Sequence, residues 1–321
     1  MKGKIAVEEH FALPETTAIS ARWPTSYWSG LNDRLLDIFD RRLAEMDTAG
    51  IELAVLSLNA DAVQAMPDTA AAIATARRAN DVLADAVGKR PDRFAALAAL
   101  PMQDPQAATA ELQRCIGDLK FKGVLVNGFS QVGEIESAVY YDLPRYRPFW
   151  AELERLGVPF YLHPRYPLPG GHRSYEGHPW LAASAWGFAE EAAIHALRLM
   201  CCGLFDDHPK LQIVLGHLGE RIPYDVWRLD HRLAKVPNRP AKRTIRDYLR
   251  NNFHVTTSGN FCTPSLLHAI GTLGADRVMF AVDYPFEDHA EASAWFDAAE
   301  IAEPDRVKIG RDNARALFAL T

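Results

Sequence analysis

The stretch Lys4-Ile5-Ala6-Val7-Glu8-Glu9-His10 is a short apolar run that ends abruptly in charged and polar residues. Three later segments repeat this arrangement, because apolar runs at 158–162, 211–216 and 278–282 lead into His163, His217 and Asp283. In a (β/α)₈ barrel the carboxyl ends of all the parallel strands meet at one rim, where residues distant in sequence become neighbours. The pattern therefore predicts an α/β fold, a (β/α)₈ TIM barrel, with a metal site at its rim.

Strand and helix signals alternate along the chain, which is typical of βα units on a parallel sheet. Most of the predicted strands are nearly continuous apolar runs, as expected where both faces of a strand are covered. Eight strands are predicted, over residues 4–8, 53–58, 94–100, 123–127, 158–163, 211–217, 253–257 and 277–283. Amphipathic spacing predicts helices over 35–46, 68–89, 104–119, 145–156, 182–202, 224–235, 263–273, 290–299 and 305–320. No repeat or linker divides the pattern, so we expect one domain over residues 1–321.

The composition argues against several classes of partner. The 35 Lys+Arg residues against 41 Asp+Glu give a net charge of −6 without a basic tract, so we expect no nucleic-acid partner. No signal peptide is visible, and no apolar run approaches the roughly 20 residues of a membrane helix. The four cysteines have neither zinc-finger spacing nor a secreted framework, so we expect a cytoplasmic protein with reduced thiols and no membrane partner.

Glu8 and His10 are separated by one residue, so in a strand their side chains point to the same face while Glu9 points to the other. A strand-end histidine alone is often a hydrogen-bonded core residue, but four such strand ends favour a metal site. Long connections at 11–32, 128–144 and 164–181 follow strands and would overhang the same rim. Their aromatic and polar residues suit a flat, partly apolar ligand, although any single ring could equally anchor a loop.

Longer motifs resemble a known family. They include Glu8-Glu9-His10-Phe11 and the segments 77–81, 125–131, 158–165, 216–220, 227–231, 256–261 and 283–287. Together they resemble the amidohydrolase superfamily and, within it, the branch that includes aminocarboxymuconate-semialdehyde decarboxylase. The likeness to the γ-resorcylate (2,6-dihydroxybenzoate) decarboxylases of that branch spans nearly the whole chain.

A few positions differ from that family's usual pattern. Binuclear members of the superfamily carry a carboxylated lysine at the end of strand four, where this chain has Asn127, so a single metal ion is implied. Ala281-Val282 precedes Asp283 where a hydroxyl residue is common, and Tyr284 stands where tryptophan is frequent. These differences leave the predicted ligands intact and bear on the ring substitution of the substrate, not on the class of reaction.

The resemblance implies one divalent ion, Zn²⁺ or Mn²⁺, and no organic cofactor; the ligands implied are Glu8, His10, His163 and Asp283. The implied reaction is a reversible, non-oxidative decarboxylation of an ortho-hydroxybenzoate such as 2,6-dihydroxybenzoate, with the ion holding a carboxylate and a neighbouring phenolate oxygen. Asp283 would also protonate the ring carbon, while His217 and Glu220 adjust its proton affinity. Direct ligation by His217 stays open. The predicted substrate contacts are Trp23, Asn127, Phe129, Arg228 and Phe286.

The expected partners are a small aromatic acid and further copies of the chain, as a dimer or a homotetramer. Arg228 could reach substrate at a pocket edge or subunit boundary, although an arginine on a helix is more often solvated. Two other functions compete. A mononuclear hydrolase of a lactone or amide would use the same ligands to activate water. A non-catalytic binding barrel would hold little metal and would tolerate loss of Glu8 or His163.

Overall fold

Eight parallel strands form the predicted barrel in a computed structural model that describes residues 1–17, 30–168 and 173–320. The strands are β1 Lys4–Phe11, β2 Ile51–Leu58, β3 Phe94–Ala98, β4 Gly123–Asn127, β5 Ser130–Val132, β6 Glu134–Val139, β7 Phe160–His163, β8 Ile213–Leu215, β9 Phe253–Thr256 and β10 Val278–Met279. The barrel strands pair in the order β1-β2-β3-β4-β7-β8-β9-β10, whereas β5 and β6 form a separate antiparallel hairpin.

The barrel closes between β1 and the segment that follows β10. The amide of Asp283 donates to the carbonyl of Glu8 at 3.0 Å, and the amide of His10 donates to the carbonyl of Tyr284 at 2.7 Å. Glu9 and Tyr284 form the corresponding parallel bridge. The first and last strands of the barrel therefore lie side by side, and their polar ends share one part of the rim.

Helices cover the outside of the cylinder. They span Leu31–Leu36, Asp40–Ala49, Thr69–Lys89, Pro105–Gly117, Arg147–Leu156, Gly187–Cys201, Leu204–Asp207, Ile222–Leu233, Ile245–Asn252, Thr263–Leu273, His289–Ala298, Glu303–Val307 and Asn313–Leu317. Several begin at a side-chain cap, as where the carboxylate of Asp104 accepts from the amides of Gln106 and Ala107. Gly50 ends the second helix at φ 70°, the left-handed conformation expected of a glycine at that position.

The core has two layers because neighbouring strand residues face opposite sides. In β2, Val55 packs inside the barrel and Leu56 packs against the outer helices. Leu125 and Val126 divide in the same way on β4. Phe318, from the end of the chain, joins the inner layer. A continuous packed interior therefore supports the rim, since both faces of each strand are buried.

All eight predicted barrel strands are present, with ends shifted by a few residues. The predicted closing helix over 305–320 is present as an uninterrupted helical stretch over 303–317, in which a π-helical turn at Lys308–Asp312 joins two short α-helical parts. The helix Ile245–Asn252 was not predicted, although Thr244 and Asp247 form a capping box at its start. The hairpin of β5 and β6 lies inside the predicted 128–144 connection. In the described ranges, no helix has the length and apolar character needed to cross a membrane.

Candidate metal centre and active site

Four predicted ligands meet at the carboxyl-terminal rim of the barrel. Glu8 and His10 come from β1, His163 is the last residue of β7, and Asp283 follows β10. One potential ligand atom from each of the four lies within 4.8 Å of all the others. Residues separated by as many as 275 positions therefore converge, as the strand-end pattern predicts.

The four groups face one another in two close pairs. His10 Nε2 lies 3.2 Å from Asp283 Oδ1, and His163 Nε2 lies 3.2 Å from Glu8 Oε1. The rings of His10 and His163 meet edge to face, with centroids 4.7 Å apart. The side chains of Glu8 and His10 are fully buried, whereas that of Asp283 is 14% exposed. Asp283 therefore lies on the open side of the cluster.

The donor set fits a divalent cation. Among the described residues, Glu8 Oε1 and His10 Nε2 are buried without a hydrogen-bond partner. Leaving such polar atoms unpaired costs free energy, and so does burying two carboxylates side by side. Two imidazole nitrogens with two carboxylates suit Zn²⁺ or Mn²⁺. An ion bound among the four groups would satisfy these atoms and offset the charge of both carboxylates.

Groups behind the cluster hold Glu8 in place. Its Oε2 accepts hydrogen bonds from the Tyr161 hydroxyl and, at 3.1 Å, from the hydroxyl of Thr256. Gly216 packs so close that an added Cβ would lie 3.0 Å from Oε2 and 3.2 Å from Oε1. On the other ligand of β1, His10 Nδ1 lies 3.2 Å from the hydroxyl of Ser57. The orientation of both ligands is thus fixed by buried partners.

The residue His217 lies beside the cluster, on a strained turn. Residues 217–221 all have positive φ, with values of 51°, 59°, 87°, 51° and 64°. Only one of these five is a glycine, and left-handed conformations cost other residues about 1–2 kcal/mol each. Such strain persists where the surrounding structure fixes it, and it concentrates at functional sites.

The turn places His217 between the carboxylate of Glu220 on one side and those of Asp283 and Glu8 on the other. Its Nδ1 lies 2.7 Å from Glu220 Oε1, and its Nε2 lies 3.6 Å from Asp283 Oδ2 and 3.8 Å from Glu8 Oε1. Glu220 is 1% exposed, and its second oxygen has no hydrogen-bond partner among the described residues. Glu220, His217 and Asp283 therefore form a row that leads from a buried carboxylate to the metal-binding cluster.

Mutual contacts keep these groups charged despite their burial. Burial opposes the charge on His217, but Glu220 and Glu8 outweigh it and raise its pKa well above the ordinary value. Burial would raise the pKa of Glu8, yet His217 and His163 hold it below its usual range. The pKa of Asp283 is also lowered, because its close contacts with the rings of His10 and His217 outweigh its burial. The site thus presents two anions and an imidazolium.

A cavity of about 260 Å³ opens onto the cluster. Its described lining includes His163, His217, Asp283, Phe286, Glu287 and Asn260, with Pro164, Tyr166 and Phe188 among the apolar residues. This volume is just below the roughly 300–1,000 Å³ of pockets for drug-sized ligands, so it suits a single-ring molecule. Burial, together with the charge of Asp283, raises the pKa of Glu287 to about 7. The cavity therefore combines a charged floor with an apolar wall.

The predicted substrate contacts lie in different places. Phe286 lines the cavity, with its ring 5.7 Å from that of His10. Asn127 and Phe129 are buried but are not among the described lining residues. Arg228 is exposed and does not line the cavity, but it lines an adjoining groove of about 1080 Å³. Trp23 lies outside the described residues.

Sequence reasoning did not select several residues that border the cavity or support a proposed ligand. Arg221 and Asn260 line both the cavity and the groove, and Arg221 stacks 3.5 Å over the ring of Trp186. Tyr161 lies within the predicted strand, and no local signal marks its hydroxyl as a partner of Glu8. Glu287 was left unassigned, because its place on the cavity wall depends on the fold of the rim.

The chain is similar over its full length to decarboxylases of known structure. The γ-resorcylate decarboxylase of Rhizobium sp. (strain MTP-10005) is 62% identical, and that of Rhodococcus jostii (strain RHA1) is 60% identical; each alignment covers 100% of this chain and 99% of the relative. A crystal structure of 2,6-dihydroxybenzoate decarboxylase complexed with 2,6-dihydroxybenzoate superimposes with a TM-score of 0.97 at 61% identity, over 100% of both chains.

A second solved structure holds a metal. The dihydroxybenzoic acid decarboxylase of Polaromonas sp. JS666, with bound manganese and the inhibitor 2-nitroresorcinol, has a TM-score of 0.97 at 54% identity and covers 100% of this chain and 98% of its own. The amidohydrolase family model matches residues 18–320. With its eight-stranded barrel and the ligand cluster at the rim, this chain belongs to the amidohydrolase family.

Proposed function

We propose that the protein is a metal-dependent decarboxylase that converts 2,6-dihydroxybenzoate to resorcinol and CO₂ without oxidation. The observation that carries this proposal is the cluster of two carboxylates and two imidazoles on the floor of a single-ring cavity. The full-length similarity to γ-resorcylate decarboxylases supports the choice of substrate. The same machinery would catalyse the reverse carboxylation at high bicarbonate, since a catalyst accelerates both directions.

Glu8, His10, His163 and Asp283 would hold one divalent ion, and manganese in a solved relative favours Mn²⁺ over Zn²⁺. When bound, the ion supplies a Lewis acid that fixes a carboxylate oxygen and an ortho-hydroxyl oxygen of the substrate. A hydroxyl next to the carboxylate is therefore required, while Phe286 packs along the ring and the apolar wall excludes water. Metal analysis of the protein purified without added salts tests the identity of the ion.

Asp283 is the proposed proton donor. It is the most exposed member of the cluster and lines the cavity, so its carboxyl can reach a ring that rests against Phe286. Transfer of its proton to the ring carbon that bears the carboxylate breaks aromaticity. The C–C bond then cleaves, its electron pair returns to the ring, and CO₂ leaves. Such proton transfer by a positioned side chain contributes about 10²- to 10⁴-fold to the rate.

His217 and Glu220 supply and hold that proton. His217 Nε2 lies 3.6 Å from Asp283 Oδ2, and the 2.7 Å contact with Glu220 orients the ring. We therefore propose that His217 acts on Asp283 from outside the ligand set. It is not one of the four residues whose candidate ligand atoms all lie within 4.8 Å of one another.

The other residues predicted to contact the substrate lie at different places around the cavity. Asn127 donates to the carbonyl of Asn59, which precedes the cavity residues Ala60 and Asp61, so it shapes the cavity from behind. Phe129 lies under the guanidinium of Arg165 and supports the same side of the rim. Substrate contact by Trp23 stays a prediction. Arg228 faces the groove, which favours a role at a subunit boundary.

The groove is the proposed contact with a second copy of the chain. Tyr224 and Trp227 on its helix are 79% and 66% exposed, and Trp186 beside it is 49% exposed. Large exposed aromatic patches mark interaction sites. The groove also shares His217 and Arg221 with the cavity, so a covering subunit would shield the site. Size-exclusion chromatography of Trp227→Lys tests this, with a shift toward monomer expected.

The reaction is tested by incubating the Mn²⁺-loaded protein with 2,6-dihydroxybenzoate, 2,3-dihydroxybenzoate and salicylate while ultraviolet absorbance is followed. We expect 2,6-dihydroxybenzoate to be consumed fastest, CO₂ to be released, and chelation to stop the reaction. Glu8→Gln, which changes one of the four proposed ligands, serves as the control protein without a complete metal site. Hydrolysis of a lactone or amide, without turnover of any of the three acids, would replace the proposal with a hydrolase.

A further inference from the structure

A second polar cluster lies on the outer face of the barrel, directly behind the metal-binding site. Its members are Glu9, Arg42, Tyr284 and His289, each at most 1% exposed. Glu9 is the residue between the two ligands of β1, and its side chain points away from them into the layer between strands and helices. Buried charged groups are rare and are kept where they have partners. The reaction does not use this cluster, so its purpose needs a separate explanation.

Glu9 completes the hydrogen bonding of the barrel seam. Its Oε1 accepts from the amide of Val282 at 3.1 Å, and its Oε2 lies 3.0 Å from His289 Nε2, which donates to it. Val282 immediately precedes Asp283 and lies beyond the end of β10. A side chain of the first strand thus provides the acceptor for a main-chain donor of the last segment. This bond adds to the two main-chain bonds that hold the segment of Asp283 and Tyr284 beside β1.

The other members hold the two sides of the seam from outside. Arg42 donates to the carbonyl of His10, and its guanidinium lies 4.7 Å from the centroid of the Tyr284 ring. The opposite partner of Tyr284 is His289, whose ring is stacked 4.2 Å away at an angle of 1°. Three planar groups therefore form one buried stack. It connects the backbone of a ligand on β1 with the residue next to Asp283.

We infer that Glu9, held by His289 and flanked by the Arg42–Tyr284 stack, is a positioning residue that sets Asp283 in register with Glu8 and His10. The inference rests on the proposed metal site and extends it to groups that touch neither metal nor substrate. A displacement of about 1 Å can cost roughly 10²-fold in rate when a reacting group moves. Partners that orient ligands typically change metal affinity or activity by about 10- to 100-fold.

The test compares Glu9→Ala, Glu9→Gln and a matched control. Glu9→Gln keeps an oxygen that can accept from Val282, whereas Glu9→Ala removes it. The control is Asn80→Ala, because Asn80 is also buried and bonds the main chain of Ala99 just after β3, a strand without ligands. Both alanine variants are expected to lower the melting temperature. Only Glu9→Ala should weaken Mn²⁺ binding and lower kcat, each by about 10- to 100-fold, with KM nearly unchanged.

Two readouts separate this inference from the proposed reaction. Mn²⁺ affinity, measured by electron paramagnetic resonance, needs no substrate, so it reports positioning even if the wild-type protein fails to decarboxylate. Hydrogen exchange of the segment 278–286 reports the Val282 amide, which should exchange faster in Glu9→Ala and slowly in Glu9→Gln. Equal losses of Mn²⁺ affinity in Glu9→Ala and Asn80→Ala would overturn the inference, as would unchanged exchange at Val282. If Glu9→Ala does not fold, the same two measurements are made on Glu9→Gln and on His289→Phe. The phenylalanine keeps an aromatic ring in the stack but cannot donate to Glu9.

Discussion

Replacing Asp283 by asparagine separates its two proposed duties. The amide keeps an oxygen that can face the ion, and the other three ligands, including the carboxylate of Glu8, stay in place. It cannot deliver a carboxyl proton to the ring. Loss of a positioned general acid costs about 10²- to 10⁴-fold, which equals roughly 2.7–5.4 kcal/mol of transition-state stabilisation.

A second effect acts in the same direction. Asp283 Oδ2 lies 3.6 Å from His217 Nε2. At an effective dielectric constant of about 20, a unit charge at that distance contributes on the order of 4–5 kcal/mol, before screening and relaxation. The substitution Asp283→Asn removes this charge and therefore also lowers the pKa of His217. We expect kcat to fall by at least about 10²-fold while millimolar Mn²⁺ still fills the site.

The assay measures loss of 2,6-dihydroxybenzoate absorbance under saturating Mn²⁺, together with metal content. Glu287→Gln is the matched control, because Glu287 lines the same cavity and its amide bonds the carbonyl of Asp283, but it is not one of the four clustered ligands. It should keep kcat within about tenfold, short of the 10²-fold or greater loss of a general acid. Wild-type turnover by metal-loaded Asp283→Asn would refute the role of Asp283 as proton donor.

Three further outcomes follow from the geometry. Gly216→Ala places a Cβ 3.0 Å from the carboxylate of Glu8, so titration should show Mn²⁺ binding weakened by about tenfold or more. Tyr161→Phe removes one donor to the same carboxylate and should lower Mn²⁺ affinity by about 10- to 100-fold by the same assay, with the fold retained in circular dichroism. Burial lowers the pKa of both His195 and His254 from 6.5 to about 3, so between these pH values the unfolded state binds more protons and stability falls as pH falls. Urea unfolding from pH 6 to pH 4 should therefore show a slope smaller by about 1.4 kcal/mol per pH unit in His195→Gln than in the wild type.

The parts of the site that could be predicted are those that depend on strand ends. An apolar run that ends in Glu8-x-His10 specifies both the strand and the shared face of its two ligands, because side chains alternate along a strand. His163 and Asp283 follow the same rule, since every parallel strand of a barrel ends at one rim. Helix caps could also be found locally, and the unpredicted helix at Ile245–Asn252 carried such a signal in Thr244 and Asp247.

Other features required the folded chain. From the sequence alone, periodicity and strand ends indicate the barrel and the polar residues of its common rim, since both are local properties, and the family resemblance selects four of these residues as the proposed ligands. Only the tertiary structure decided that Tyr161 supports Glu8, that Arg228 faces a groove instead of the cavity, and that Glu9 bonds the amide of Val282. These contacts join elements whose relative height and rotation are set by packing and by closure of the barrel, and no local pattern of residues encodes them.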